Sequence, residues 1–187
     1  IVDVFAGTNA DVVMTRDDHQ SGTDRIAEVA NLNHWAEDDI VVNLQGDEPL
    51  MPIANLDQVA SLLKAHPSAD IATVCEPITS KDEFDNPSVV KVIADQTGRA
   101  LYFSRAPIPH IRDGSDGEIP NTARRHIGLY AYRVSFLKAF ANLPESATEK
   151  LESLEQLRAL DNGREIKIAD CAEAVPAGVD TLDDLEV

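Results

Sequence analysis

Apolar positions along this chain follow two periods in alternation. Short runs rich in β-branched residues predict strands at "DVVM" (11–14), "DIVVNL" (39–44) and "EIKIADC" (165–171), and 39–44 is the clearest buried strand of the three. Between these runs lie longer segments of helical period. Residues 23–32 bring Ile26, Val29 and Ala30 onto one face, and the segment after Pro52 does the same with Leu56, Val59, Leu62 and Leu63 before Pro67 ends it. "VSFLKAFANL" (134–143) predicts a short helix. "TEKLESLEQLRAL" (148–160), with leucines at 151, 154, 157 and 160, predicts a longer one that Gly163 stops. Strands and helices alternating in this way predict an α/β layer fold.

One region breaks the alternation. "DIATVCEPI" (70–78), "SVVKVIAD" (88–95) and "ALYFSRAPIP" (100–109) are strand-like with no long helix between them, and "RHIGLYAYR" (125–133) resumes strand character. Residues 70–133 are therefore expected to form an antiparallel excursion from a mainly parallel twisted sheet, within a single domain spanning 1–187. "DGSDGEIPN" (113–121) reads as an exposed loop. The opening "IVDVFAGTNA" reads as the last turns of a helix running into a glycine. Near the other end, Thr181 and Asp184 fit a capping box, which puts Asp180 just before a helix start.

Composition narrows the chemistry. With 43% hydrophobic and 26% charged residues the chain is of globular type, and no stretch approaches the roughly 18 uninterrupted apolar residues of a membrane helix. A membrane partner is not expected. A net charge of −17 argues against DNA or RNA, whose binding rests on phosphate neutralisation by Lys and Arg. A small anionic ligand stays compatible, because a local Arg cluster or a bound cation reverses the field inside one cleft. Cys75 and Cys171 sit in separate apolar runs without metal-ligand spacing and are expected to be buried free thiols.

Candidate chemistry gathers at strand ends, where open α/β sheets bind ligands. Asp47 follows the strand at 39–44 in "QGDEP", and Asp180 follows the segment after the strand at 165–171. Two carboxylates with phosphates between them suit Mg²⁺, although each alone also fits an ordinary turn or cap residue. Ser21, Gly22 and Thr23 stand where a loop opens a helix and backbone N–H groups are free to meet an oxygen, or where a simple cap would sit. Arg105, with the group Arg125, His126 and Tyr130, offers guanidinium and imidazole donors for a carboxylate, or salt-bridge and packing partners. Glu152, Glu155 and Gln156 read by default as the solvated face of a leucine-striped helix.

Taken together, "DHQSGTDR", "VVNLQGDEPL", "ALYFSRAPIP", "RRHIGLYAYR", "LESLEQLRAL" and "GVDTLDDLE" occur in an order and at separations that closely resemble the 3-deoxy-manno-octulosonate cytidylyltransferase (CMP-Kdo synthetase) family across the whole chain. The resemblance implies a nucleotidyltransferase of GT-A-like α/β fold. Such an enzyme joins CTP to the eight-carbon acid sugar Kdo, giving CMP-Kdo and pyrophosphate for lipopolysaccharide synthesis in the cytoplasm of Gram-negative bacteria. It also implies Mg²⁺ as cofactor and a homodimer whose contacts lie largely within 70–133. Carried over by position, Asp47 and Asp180 would be the catalytic, magnesium-binding carboxylates. Ser21, Gly22, Thr23 and Gln45 would lie along the nucleotide, and Arg105, His126, Tyr130, Glu155 and Gln156 would line the Kdo pocket.

The chain departs from the family pattern in one respect. The family begins with a strand and a Gly-, Arg- and Lys-rich loop that grips the triphosphate, and this stretch has no counterpart in these residues. The expectation is a natural protein extending about 50 to 60 residues further upstream at typical element lengths, and a chain that is inactive or nearly so as given. Competing expectations are a CMP-sialic acid synthetase, a hexose-1-phosphate nucleotidyltransferase, or a non-catalytic nucleotide-binding module.

Overall fold

The computed structural model describes residues 2–19, 21–46, 48–114 and 117–176. Among them one six-stranded sheet carries helices on both faces. In chain order the elements are α1 (Val2–Phe5), α2 (Gly22–Leu32), β1 (Ile40–Asn43), α3 (Ile53–Ala65), β2 (Ile71–Pro77), α4 (Lys81–Asp85), β3 (Lys91–Ala94) and β4 (Ala100–Ser104). They continue with β5 (Arg124–Arg133), α5 (Val134–Phe140), α6 (Ala147–Glu152), α7 (Gln156–Asp161) and β6 (Ile166–Asp170).

The longest strand, β5, is the spine. One of its edges pairs with β2, and the other is shared end to end by β3 and β1. Strands β1, β2, β3 and β6 run one way, while β4 and β5 run against them, so the sheet is mixed. Because β5 is interposed, every ladder except β2–β6 is antiparallel. Period-two alternation divides the core between the faces. On β2, Ile71 and Cys75 join the layer packed with α2, α5 and α7, whereas Ala72 and Val74 join the layer packed with α3. Cys171 lies on the α3 side, so the two free thiols face opposite ways through the sheet.

Two β5 residues, Gly128 and Leu129, bulge out between the pairs Thr73–Tyr130 and Val74–Ile127. The Thr73 hydroxyl closes this gap. It donates to the Leu129 carbonyl at 2.8 Å and, in the matching tautomer, accepts from His126 Nε2 at 2.9 Å. In consequence His126 and Tyr130 share a face, with ring centroids 5.2 Å apart.

Three sequence expectations come out differently. "DVVM" is exposed and joins no ladder, and β propensity without a pairing strand does not make a strand. Strand β1 is half-buried rather than fully buried, and β5 is its one ladder partner. The leucine-striped helix is two helices, because Ser153 adopts a left-handed conformation (φ 51°, ψ 50°) that ends α6 and redirects the chain into α7. Leu151 is accordingly 86% exposed while Leu154 and Leu157 are buried. Gly163, at φ 71°, follows the C-terminus of α7 as the stop residue. The helix and capping box around Asp180 to Asp184 lie outside the described residues.

Candidate active site

Helix α2 begins where its sequence dictates. Ser21 is the N-cap, its hydroxyl accepting from the Asp24 N–H at 3.1 Å, and Thr23 in the first turn is almost wholly buried. Opposite this end of α2, Asn43 closes β1 directly across from Tyr130, and Gln45 follows on the same side. The third wall is the elbow between α6 and α7, which carries Glu155 and Gln156.

These walls enclose a cavity of about 340 Å³. Of the residues singled out in the sequence, Gly22, Thr23, Gln45, Tyr130, Glu155 and Gln156 line it together. The Ser21 and Thr23 hydroxyls lie near enough to the Glu155 carboxylate to favour its charged form, so the helix start predicted for the nucleotide faces the residue predicted for the sugar. Among the described residues, Glu155 Oε1 is buried without a hydrogen-bond partner. Burial raises the Glu155 pKa above the usual carboxylate value against the opposing pull of those hydroxyls.

Asn43 and Tyr132 are among the lining residues that the sequence reading passed over. The Tyr132 phenol lies near the side chains of Thr23 and Asn43, and burial raises its pKa. The signal for both was strand alternation, since Asn43 shares a face with Gln45 and Tyr132 shares one with Tyr130. Tyr130, Tyr132, Phe136 and Phe140 form a ladder of rings with successive centroids 5.5, 6.1 and 5.5 Å apart, and this is the cavity's apolar wall.

Three predicted residues stand outside the lining: Ser21, which caps α2, and His126 and Arg105. His126 packs edge-on against Phe103 at 5.0 Å, and burial lowers its pKa to about 3, so it serves as a neutral hydrogen-bonding group. Arg105 lies behind the elbow, its guanidinium donating to the backbone carbonyls of Glu152 (2.7 Å), Pro87 (3.1 Å) and Ser153 (3.4 Å). Arg125 is committed to ion pairs with Glu76 and Glu83. Asp47 and Asp180 lie outside the described residues, and among the described residues no group of three or more His, Cys, Asp or Glu is arranged to hold a metal.

A wider hollow of about 600 Å³ runs along α2 beside His19 and Glu28. Arg16 pairs with Asp18 there, and His19 with Glu28. Glu28 Oε2 also accepts from the Arg16 N–H at 3.1 Å. This is how the 15–19 loop is fastened to α2.

A cytidylyltransferase family profile matches residues 1–166. The 3-deoxy-manno-octulosonate cytidylyltransferase of Francisella tularensis subsp. novicida is 54% identical over 188 residues, an overlap covering 100% of this chain and 75% of the relative. The enzyme of the same name from Alcanivorax borkumensis is 53% identical over 190 residues, again covering 100% and 75%. Among solved structures, CMP:2-keto-3-deoxy-manno-octonic acid synthetase complexed with CTP is similar at a TM-score of 0.86 and 39% identity, covering 98% of this chain and 73% of that one.

Proposed function

This chain belongs to the 3-deoxy-manno-octulosonate cytidylyltransferase family, and we propose that the cavity between α2, β1 and α7 is where its two substrates meet. The reaction is cytidylyl transfer. The anomeric 2-hydroxyl of Kdo attacks the α-phosphate of CTP, and pyrophosphate leaves. The observation that carries this reading is the convergence of Gly22, Thr23 and Gln45 with Tyr130, Glu155 and Gln156 on one cavity, which joins the nucleotide side of the site to the sugar side.

Both substrates are anions approaching a chain of net charge −17. The cavity eases that approach with neutral donors, namely Thr23, Asn43, Gln45, Tyr130 and Gln156, together with the positive end of the α2 dipole. Glu155, the one carboxylate among the described lining residues, has the raised pKa that burial imposes. In this reading the α2 start and Gln45 lie along the cytidine nucleotide, while Tyr130, Glu155 and Gln156 hold sugar hydroxyls. His126, as a neutral N–H, supports Tyr130 from below, and Arg105 acts on the same pocket from behind the elbow.

Mg²⁺ fits the donor chemistry. Asp47 and Asp180 are hard carboxylates, each following in sequence a strand of the same direction, and Gln45, two residues before Asp47, lines the cavity. They would hold the ion, which when bound neutralises charge on the phosphoryl oxygens. The same reading includes a cytoplasmic homodimer with contacts in 70–133, where Leu101 and Tyr102 are exposed on the outermost strand β4.

The test is Glu155→Gln in the natural protein. Loss of a charged acceptor predicts a Kdo KM about 10- to 100-fold higher with the CTP KM nearly unchanged. Stability moves the other way. A raised folded-state pKa means that Glu155 favours folding below its unfolded pKa and loses that contribution as pH rises through the folded value. At neutral pH the variant is therefore expected to melt at or slightly above the parent temperature. An unchanged Kdo KM would contradict the assignment.

A further inference from the structure

Glu155 and Gln156 reach the cavity only because the chain breaks at Ser153, a non-glycine residue held at φ 51°. Such a conformation persists where its surroundings impose it. The surroundings are a reciprocal clamp. The Glu152 carboxylate accepts from the Ser104 hydroxyl at 2.6 Å and from the Arg105 backbone N–H at 2.9 Å. In return the Arg105 side chain donates to the Glu152 carbonyl at 2.7 Å and to the Ser153 carbonyl at 3.4 Å, groups left open by the end of α6. Ser104 is 2% exposed, so its hydroxyl has little access to water as an alternative partner. Lys91, wholly buried and within electrostatic reach of Glu152, ties down the neighbouring loop through the carbonyls of Asn86 (2.9 Å) and Val89 (2.5 Å).

We propose that Glu152 is a positioning residue for the sugar-acid half of the site: its carboxylate, bridged to Ser104 and Arg105 on β4 and its exit, fixes the Ser153 elbow that delivers Glu155 and Gln156 into the cavity. This rests on the reading of the cavity as the Kdo site. Glu152 does not itself line the cavity, and its effect passes through the elbow at Ser153 to the residues that follow it. Neither α2 nor Gln45 is bonded to the clamp, so its loss reaches the nucleotide side only through Glu155 and is expected to change the CTP KM less than the Kdo KM.

Steady-state pyrophosphate release, with Kdo and CTP varied in turn, separates these ideas in Glu152→Ala, Ser104→Ala and Gln156→Ala. Glu152→Ala is expected to raise the Kdo KM about 10-fold with the CTP KM within about twofold, the size of one or two lost charge-assisted hydrogen bonds. Glu152→Gln keeps one acceptor oxygen and is expected to fall between Glu152→Ala and the parent. Ser104→Ala removes one of the two bonds without burying a charge, and carries the test through a smaller rise of the same kind if Glu152→Ala fails to fold. A folded Glu152→Ala with an unchanged Kdo KM, or with both KM values raised alike, overturns the proposal while Gln156→Ala still weakens Kdo. If Gln156→Ala leaves the Kdo KM unchanged, the cavity reading itself fails, and the positioning role with it.

Discussion

Replacement of Asp47 by Asn is expected to lower cytidylyl transfer about 1,000-fold or more while leaving the fold intact. The substitution preserves size and removes one charge. If Asp47 is one of two carboxylates holding Mg²⁺ at the phosphates, its loss forfeits several kcal/mol of charge stabilisation, and each 1.36 kcal/mol is about tenfold in rate. Its place in the chain supports the role. Strand β1 ends at Asn43, Gln45 already lines the cavity, and Asp47 is two residues further on. The neighbouring Glu48 is expected to orient the turn rather than bind metal, with Pro49 stiffening it. Rates measured across a Mg²⁺ titration check this. A variant with the parent's rate and metal requirement would remove Asp47 from the site.

The second large effect concerns stability. Glu149 and Arg158 form a nearly buried bidentate pair, with Arg158 Nε 3.1 and 2.9 Å from the two carboxylate oxygens and side-chain exposures of 9% and 12% respectively. Glu149 also completes the capping box of α6 with Ser146, and the Arg158 guanidinium lies 4.5 Å above the Phe140 ring that walls the cavity. Glu149→Ala leaves a cation buried without its partner, and the expected cost is about 3–5 kcal/mol. For a chain of this size that is of the order of 10 °C in Tm. Replacing both residues by apolar side chains of similar volume is expected to restore most of the loss, since a buried ion pair and a packed apolar pair differ little. Thermal melts of the single and double variants decide it, and a Glu149→Ala melting point within a degree or two of the parent would contradict the account.

The sequence made the element order and much of the cavity legible because both depend on local period. Helix starts at Ser21 and Pro52, the stop at Gly163 and the inward faces of β1 and β5 all follow from residues within a turn or two. What it hid depends on contacts between distant segments. Leucines at 151, 154, 157 and 160 describe one continuous stripe, and nothing local to Ser153 foretells a left-handed residue; the cause is Arg105, 48 positions away. For the same reason Arg105 read as a ligand for a free carboxylate when much of its donor capacity goes to backbone carbonyls. The interposition of β5, which turns like-directed strands into antiparallel ladders, is likewise a property of the assembled sheet. Tyr132 and Asn43 were recoverable in principle, since each sits two residues from a position already singled out.

If this cavity joins CTP to Kdo, transfer from CTP to a panel of acceptors will select the Kdo acid. With Kdo, sialic acid and hexose 1-phosphates offered separately to the natural protein, release of pyrophosphate is predicted with Kdo, at a kcat/KM at least about 100-fold above the others, the scale on which buried polar groups reject a mismatched ligand. Equal or greater transfer to sialic acid or to a hexose 1-phosphate would contradict it.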